Sequence, residues 1–262
     1  MKRIISITVV LLALLAPIGF AKEKTPELTF YIVRHGKTVL NSAHRVQGWS
    51  DGVLIPSGVE AVQSAGRGLK DISFQSAYTS DSGRAVETTD LILKENQKWK
   101  AKRVKKDKRL REINFGTYEG DLNENMWSDI ANANNITVDE FKQKATPRLF
   151  ADSVAALDKQ RASGFGESIP AEDYATASRR LKKAIQDIAK REAKADASGN
   201  VLIVSHGLAI CTMLDGLIDH FEMPAGGLKN ASVTLLSYQN GRFQLKKLND
   251  TSYLEQGKRA SS

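Results

Sequence analysis

Leu28-Thr29-Phe30-Tyr31-Ile32-Val33-Arg34-His35-Gly36-Lys37-Thr38 decides how this chain folds. Leu28 to Val33 is a run of apolar, aromatic and β-branched residues without turn formers, which reads as a strand buried on both faces. It stops at a guanidinium, an imidazole and a glycine. Far downstream, Val201-Leu202-Ile203-Val204-Ser205-His206-Gly207 repeats the arrangement, and a helical pattern follows each histidine. In open α/β sheets, ligands gather beyond the carboxyl ends of parallel strands. Helix amino-termini aimed at that place offer free N–H groups and a positive dipole end, so the crevice favours an anion. Strands that end alike converge two imidazoles and a guanidinium on it, and that implies phosphate chemistry.

The flanking sequence supplies the remaining layers. From Ser57 to Lys70, Val59, Val62, Ala65, Gly66 and Leu69 fall at helical spacing, with Ser57 available as a cap. A short strand around Ser76 to Thr79 leads into a helix from Asp81 to Lys94 with Ala85, Val86, Leu91 and Ile92 on its apolar side. Arg84 lies in its first turn, where a cation opposes the helix dipole and a nearby anion would account for it. Trp99 to Arg111 is dense in lysine and arginine around a short strand near Val104. No aromatic platform interleaves it, so it reads as a solvated face and specific nucleic-acid binding is not expected. Between Tyr118 and Ile169 the strand rhythm stops; Trp127 to Ala133 and Val138 to Lys144 look helical, and residues 118–169 read as a helical cap insertion over the site. Pro170 to Ala195 predicts a long amphipathic helix. Ser232 to Tyr238 and Arg242 to Lys247 read as paired strands joined at Gln239-Asn240-Gly241. Asn249 to Ser262 is polar and expected to fray. The expected architecture is α/β, a three-layer sandwich with a mostly parallel central sheet flanked by helices.

A length of 262 residues suits one such domain with an insertion. Lys2 and Arg3, the apolar stretch Ile4 to Leu15 and the spacing Gly19-Phe20-Ala21 form the three-part pattern of a secretory signal peptide. The apolar stretch is shorter than the roughly 18 residues of a spanning helix. Cleavage after Ala21 is expected, leaving residues 22–262 as one domain, secreted or periplasmic, with no membrane span. Cleavage removes two of the net +8 charges, and the mature chain stays basic. That balance suits an acidic substrate without selecting one. Cys211 is the only cysteine, so no internal disulfide forms. It sits in the apolar helical pattern Leu208 to Ile218 and reads as a buried small hydrophobe.

The first motif, Arg34-His35-Gly36-Lys37-Thr38-Val39-Leu40-Asn41, resembles the signature of the histidine phosphatase superfamily, which includes the phosphoglycerate mutases. Further similar segments follow in order: Arg45 to Asp51 with Leu54 and Gly58, Thr79-Ser80 with Arg84-Ala85, Leu110-Arg111-Glu112 with Gly116, and Ser205-His206-Gly207. Together they cover roughly Thr29 to Tyr238. The resemblance implies a phosphoglycerate mutase-like fold and a small phosphorylated substrate. It also implies that His35 attacks phosphorus, giving a phosphohistidine that water hydrolyses. Arg34 and Arg84 would clamp the phosphoryl oxygens, since planar guanidinium forks match them, and their charge would keep His35 neutral. His206 would donate to the same oxygens.

In the acid phosphatase branch an aspartate follows the second histidine and protonates the leaving group. Gly207 stands there in this chain, so the role passes to Glu112, which is similar to the acid/base glutamate of the mutase and broad-specificity phosphatase branch; Glu119 is held in reserve. Asn41, Gln47 and Gly48 are expected to line the substrate pocket. No Cys/His or carboxylate cluster has metal-ligand spacing, so neither metal nor cofactor is expected. His44 and His220 match no role and read as surface or helix-end residues. Gly116-Thr117-Tyr118-Glu119-Gly120 resembles the phosphatase branch more than the mutase branch, which favours hydrolysis. The alternatives are a mutase that returns the phosphoryl group to a bound sugar acid, and a catalytically silent protein that only holds a phosphorylated ligand.

Overall fold

Alternation along the buried strands sets the layers. The computed structural model describes residues 27–100, 103–164, 166–193 and 198–260; the expected signal peptide over 1–21 lies outside them. Strands β1 (Leu28–Arg34), β2 (Phe74–Thr79), β3 (Lys105–Lys106), β4 (Gly199–Ser205), β5 (Val233–Gln239) and β6 (Arg242–Asp250) form a six-stranded sheet in the order β3-β2-β4-β1-β5-β6. The pairings β1–β4, β4–β2 and β2–β3 are parallel; β5 and β6 add an antiparallel edge. Leu28, Phe30, Ile32, Val201 and Ile203 pack on one face with α7 (Tyr174–Glu192) and α8 (Gly207–Asp215). Tyr31, Val33, Leu202 and Val204 pack on the other with α2 (Pro56–Gly68), α3 (Gly83–Glu95) and α9 (Ser252–Arg259). This is the expected three-layer α/β sandwich.

A separate apolar cluster joins α4 (Asn123–Ala133), α5 (Val138–Lys144) and α6 (Pro147–Arg161) around Ile113, Phe115 and Tyr118. It forms the helical cap. A one-turn helix, α1 (Val39–Ser42), follows the first motif and is closed by a Thr38/Asn41 capping box. At the far hairpin, Asn240 and Gly241 take φ of 53° and 79°, the left-handed pair a two-residue turn requires.

The fold differs from the sequence reading at several points. Ser57 does not cap α2: Pro56 occupies the first helical position, where its missing N–H and fixed φ cost nothing, and Ile55 precedes it. The cap holds a third helix, α6, opened by Thr146, whose hydroxyl accepts the Leu149 N–H at 3.1 Å, and by Pro147. The long helix starts at Tyr174, not Pro170, because Asp173 caps it by accepting from the Thr176 N–H at 2.8 Å. The basic run is not merely solvated. Lys105 pairs with Glu192, Arg109 with Asp107 and Asp187, and Arg111 with Asp81. Finally, the carboxyl-terminal stretch is ordered over its described residues, up to 260. It folds as α9 with Leu254 buried, and its Gly257 faces the Ser64 carbonyl while Gly68 of α2 faces that of Tyr253. A Cβ on either glycine would strike backbone, so the two helices meet only because both positions lack one. Among the described residues no helix is long and apolar enough to cross a membrane.

Candidate active site

The parallel register of β1 and β4 sets Arg34 opposite Ser205, so both chains leave the sheet side by side. His35 follows with its N–H donating to the Ser205 carbonyl at 3.0 Å, and its own carbonyl accepts from Asn230 Nδ2 at 3.0 Å. Its ring is buried, and Nδ1 lies 2.8 Å from the Gly36 carbonyl. Only a proton on Nδ1 satisfies that oxygen, which leaves the Nε2 lone pair free. Gly36 donates its N–H to Thr88 Oγ1 at 3.0 Å and packs so tightly on Val62 and Leu54 that a side chain would not fit. Burial, then the charges of Arg84 and Arg34, push His35 well below the usual histidine range. The imidazole is therefore neutral.

His206 sits at the residue before α8, its ring centroid 5.2 Å from that of His35. It too is buried and held far below the ordinary histidine range, first by burial and then by Arg84. Nε2 lies 2.9 Å from Ser80 Oγ at the end of β2. Nδ1 has no protein partner. Arg84, in the first turn of α3, is fully enclosed: Nη1 donates to the Ser50 carbonyl and Asp51 Oδ1 at 2.9 Å each, and Nη2 to the Gly48 carbonyl at 2.8 Å. Arg34 donates through Nη1 to the Leu228 carbonyl, and burial lowers its pKa from the usual guanidinium value. Ala231, at φ 58°, turns its N–H back to the Arg34 carbonyl at 3.0 Å and so fixes the loop carrying Leu228 and Asn230.

Arg34 Nε, Arg84 Nε, His206 Nδ1 and Gln47 Nε2 are all buried without a protein partner. Each buried N–H left unpaired costs roughly 1–3 kcal/mol. Those of Arg34, Arg84 and His206 belong to the side chains that act on or face the neutral His35 imidazole, and together they match the several acceptor oxygens of a phosphoryl group. Among the described residues no cluster of His, Cys, Asp and Glu could hold a metal ion.

Glu112 is buried with its carboxyl against the start of α8, accepting from the N–H groups of Ile113 and Leu208 at 3.0 Å each and of Ala209 at 2.6 Å. Burial raises its pKa; those N–H donors and the charges of Arg84 and Arg34 act against the rise without cancelling it. Glu119 has a different place. Its carboxylate accepts from the N–H groups of Gly48, Trp49, Ser50 and Phe115 and from Ser50 Oγ, so it shapes the loop whose carbonyls hold Arg84. Its five donors commit it to that loop.

A cavity of about 300 Å³ lies between this centre and the cap. Arg34, Asn41, Gln47 and Glu112 line it; His35, Arg84 and His206 adjoin it in the buried layer and do not. Gln47 Oε1 accepts from Thr38 Oγ1 at 2.6 Å, and Asn41 Oδ1 from Asn230 Nδ2 at 3.3 Å. Gly48 corrects the sequence reading: its N–H goes to Glu119 and its carbonyl accepts from Arg84, and it does not line this cavity. Cys211 borders the cavity as a buried thiol that burial pushes up to about 12. His44 and His220 are exposed, both in left-handed turns. Sequence reasoning missed Asn230 and Thr88, whose polar groups hold the first motif in place, because both lie far from the histidine segments in the chain.

A histidine behind a central parallel strand, faced by a second histidine and two enclosed arginines, defines an α/β protein of the phosphoryl-handling class. The sequence model of the histidine phosphatase superfamily (branch 1) matches residues 30–251, and the chain belongs to that family. Fructose-2,6-bisphosphatase TIGAR B of Danio rerio is 30% identical over 202 residues, covering 74% of this chain and 77% of the relative. Among solved structures, a phosphoglycerate mutase from Bacillus anthracis str. Sterne is 40% identical with a TM-score of 0.81, over 89% of this chain and 98% of that one. Bacillus stearothermophilus YhfR is 28% identical with a TM-score of 0.65, over 87% and 99%.

Proposed function

We propose that this protein is a phosphomonoester hydrolase that works through a phosphohistidine at His35 and needs no metal. The observation that carries this is the set of unpartnered donors on Arg34, Arg84 and His206 around a neutral imidazole with a free Nε2. Nε2 attacks phosphorus as the bond to the leaving alcohol breaks, and the Glu112 carboxyl delivers its proton to the departing oxygen. Arg34, Arg84 and His206 balance the charge that grows on the phosphoryl oxygens. Water then attacks the phosphohistidine, Glu112 takes back a proton, and phosphate leaves. Burial supports Glu112 as donor because it favours the protonated carboxyl.

Similarity to a phosphoglycerate mutase favours a second reading, in which the same phosphohistidine returns its phosphoryl group to the bound acid. One assay in chelator separates them. Phenyl phosphate should release phosphate, with acid-labile label on the protein, and His35→Ala should lower turnover by at least about 1,000-fold and abolish the label. Undiminished release by His35→Ala overturns the proposal. Isomerisation of 3-phosphoglycerate without free phosphate would establish the mutase instead. The pattern over residues 1–21 supports a secreted or periplasmic location, which the mass of the amino-terminal peptide of the exported protein checks.

A further inference from the structure

We propose that Arg180, locked to Glu172, is a positioning residue for the proton donor: it fixes the backbone that carries Glu112 so that the carboxyl meets the leaving oxygen. The inference rests on the hydrolase reading above, with Glu112 as donor, and adds a residue that does not line the cavity. After the single turn Lys108–Leu110 the chain runs on through Glu112 without joining a strand or a longer helix, and side chains hold the carbonyls of residues 109–112. Arg180 Nη1 donates to the Arg109 carbonyl at 2.9 Å and to the Arg111 carbonyl at 2.8 Å, and Nη2 to that of Glu112 at 2.8 Å. Ser205 Oγ donates to the Leu110 carbonyl at 2.8 Å, and Trp49 Nε1 is a second donor to the Glu112 carbonyl at 3.0 Å. Arg180 also grips both oxygens of Glu172, from Nε at 2.6 Å and from Nη2 at 2.5 Å. All five guanidinium N–H groups are therefore committed, in a fork that the three donors of lysine cannot copy. Glu172 is tied to the same stretch: its Oε2 accepts from the Asn114 N–H at 3.1 Å, and its own N–H donates to the Asn114 carbonyl at 2.9 Å. The two side chains are only 16% and 11% exposed, so little water competes for these bonds.

Glu112 is thus held at both ends by two helices that pack on one face of the sheet. Arg180 of α7 sets its backbone, and the Leu208 and Ala209 N–H groups in the first turn of α8 set its carboxyl. The two carboxyl oxygens differ. Oε1 accepts from Ile113 and Ala209, while Oε2 accepts from Leu208 alone. Each oxygen offers two lone pairs, so the one left for a proton is on Oε2. A general acid must lie within hydrogen-bond reach of the atom it serves, and a displacement of about 1 Å can cost on the order of a hundredfold. Without Arg180, three carbonyls around Glu112 lose a donor, and a loop free to shift carries the carboxyl with it.

Phenyl phosphate and 4-nitrophenyl phosphate isolate proton delivery, because phenoxide leaves poorly without a proton and 4-nitrophenoxide leaves readily. Arg180→Met should lower kcat/KM for the phenyl ester at least about tenfold more than for the nitrophenyl ester, the same selective loss expected of Glu112→Gln. The double variant should lose no more than Glu112→Gln alone, since both changes act on one proton. Arg179, the exposed neighbour, serves as the charge control, and Arg179→Met should keep the native ratio. If Arg180→Met does not fold, Glu172→Gln is read by the same ratio and should move it in the same direction. Equal losses on the two esters, alongside a selective Glu112→Gln, overturn the inference and leave the hydrolase reading standing. So does an Arg179→Met that matches Arg180→Met, because charge alone would then move the ratio. A Glu112→Gln that slows both esters alike overturns the donor role, and no phosphate from either ester overturns the hydrolase reading; this inference falls with either.

Discussion

Ser80 decides which nitrogen of His206 can serve an anion. A neutral imidazole carries one ring proton, and a phosphoryl oxygen facing Nδ1 selects the form with the proton there. Nε2 then needs a donor, and the Ser80 hydroxyl, 2.9 Å away, can rotate to supply it. Ser80 is fixed in turn by its N–H to the Val204 carbonyl at 2.9 Å, so strand pairing sets the hydroxyl's position. In Ser80→Ala, Nε2 is left buried and unpaired at a cost of about 1–3 kcal/mol, and the ring is free to take the other tautomer. Turnover should fall roughly ten- to a hundredfold, with kcat changing more than KM, and Ser80→Thr should restore it. Nitrogen-15 shifts of the ring in the phosphate-bound protein give a direct reading: Nδ1 protonated in the native protein, mixed in Ser80→Ala. Identical ring shifts in the two proteins would dismiss Ser80 as a positioning residue. Arg84 follows the same logic. Its outer nitrogens are committed to Gly48, Ser50 and Asp51, so the guanidinium is locked before any ligand arrives.

At the scale of elements, the closeness of α2 and α9 rests on missing side chains. Gly257→Ala puts a methyl group against the Ser64 carbonyl and must separate the helices. Overpacking of this kind costs about 1–3 kcal/mol, a Tm drop on the order of 5 °C for a chain of this size, while kcat should stay unchanged because α9 packs away from the phosphoryl site. An unaltered Tm by calorimetry would show that the terminal helix carries no stability. This contact also marks where the sequence becomes hard to read. β1 and β4 are legible because Phe30-Tyr31-Ile32-Val33 and Val201-Leu202-Ile203-Val204 are buried on both faces, and the residues that follow must stand at the sheet's edge. Arg34, His35 and His206 were legible for that reason, and Arg84 as a cation in the first turn of a helix. In α9 the apolar residues are few, and the signal is a pair of glycines almost two hundred positions apart. α6 was announced by Thr146-Pro147 but hidden by its polar composition. Glu119 looked like chemistry because only the fold shows its five donors. The cavity's walls come from the three cap helices, from α8 and from several loops far apart in sequence, so no local pattern displays them.

For the molecule as a whole, two neutral histidines in one buried centre tie stability to pH. Both have folded-state pKa values well below 6.5, so below that pH the unfolded chain binds protons that the folded chain refuses. Their contribution is fully present above pH 6.5 and is lost as the pH falls from there toward the folded values, at up to about 1.4 kcal/mol per unit for each ring. Glu112 works in the opposite sense. Its raised pKa gives a contribution complete below its ordinary value of 4.5 and lost as pH rises through the folded value. One carboxyl therefore offsets part of what two imidazoles remove, and acidification from pH 7 to 5.5 should still lower Tm by roughly 5 °C. The same groups shape activity: the acid limb of kcat/KM belongs to His35 and should lie below pH 6.5, and the alkaline limb to Glu112. Calorimetry of His35→Asn/His206→Asn isolates the linkage, since asparagine fills the sites without titrating. Its Tm should be flatter over that interval than the native protein's, and an equally steep decline would place the acid sensitivity elsewhere than in the paired imidazoles.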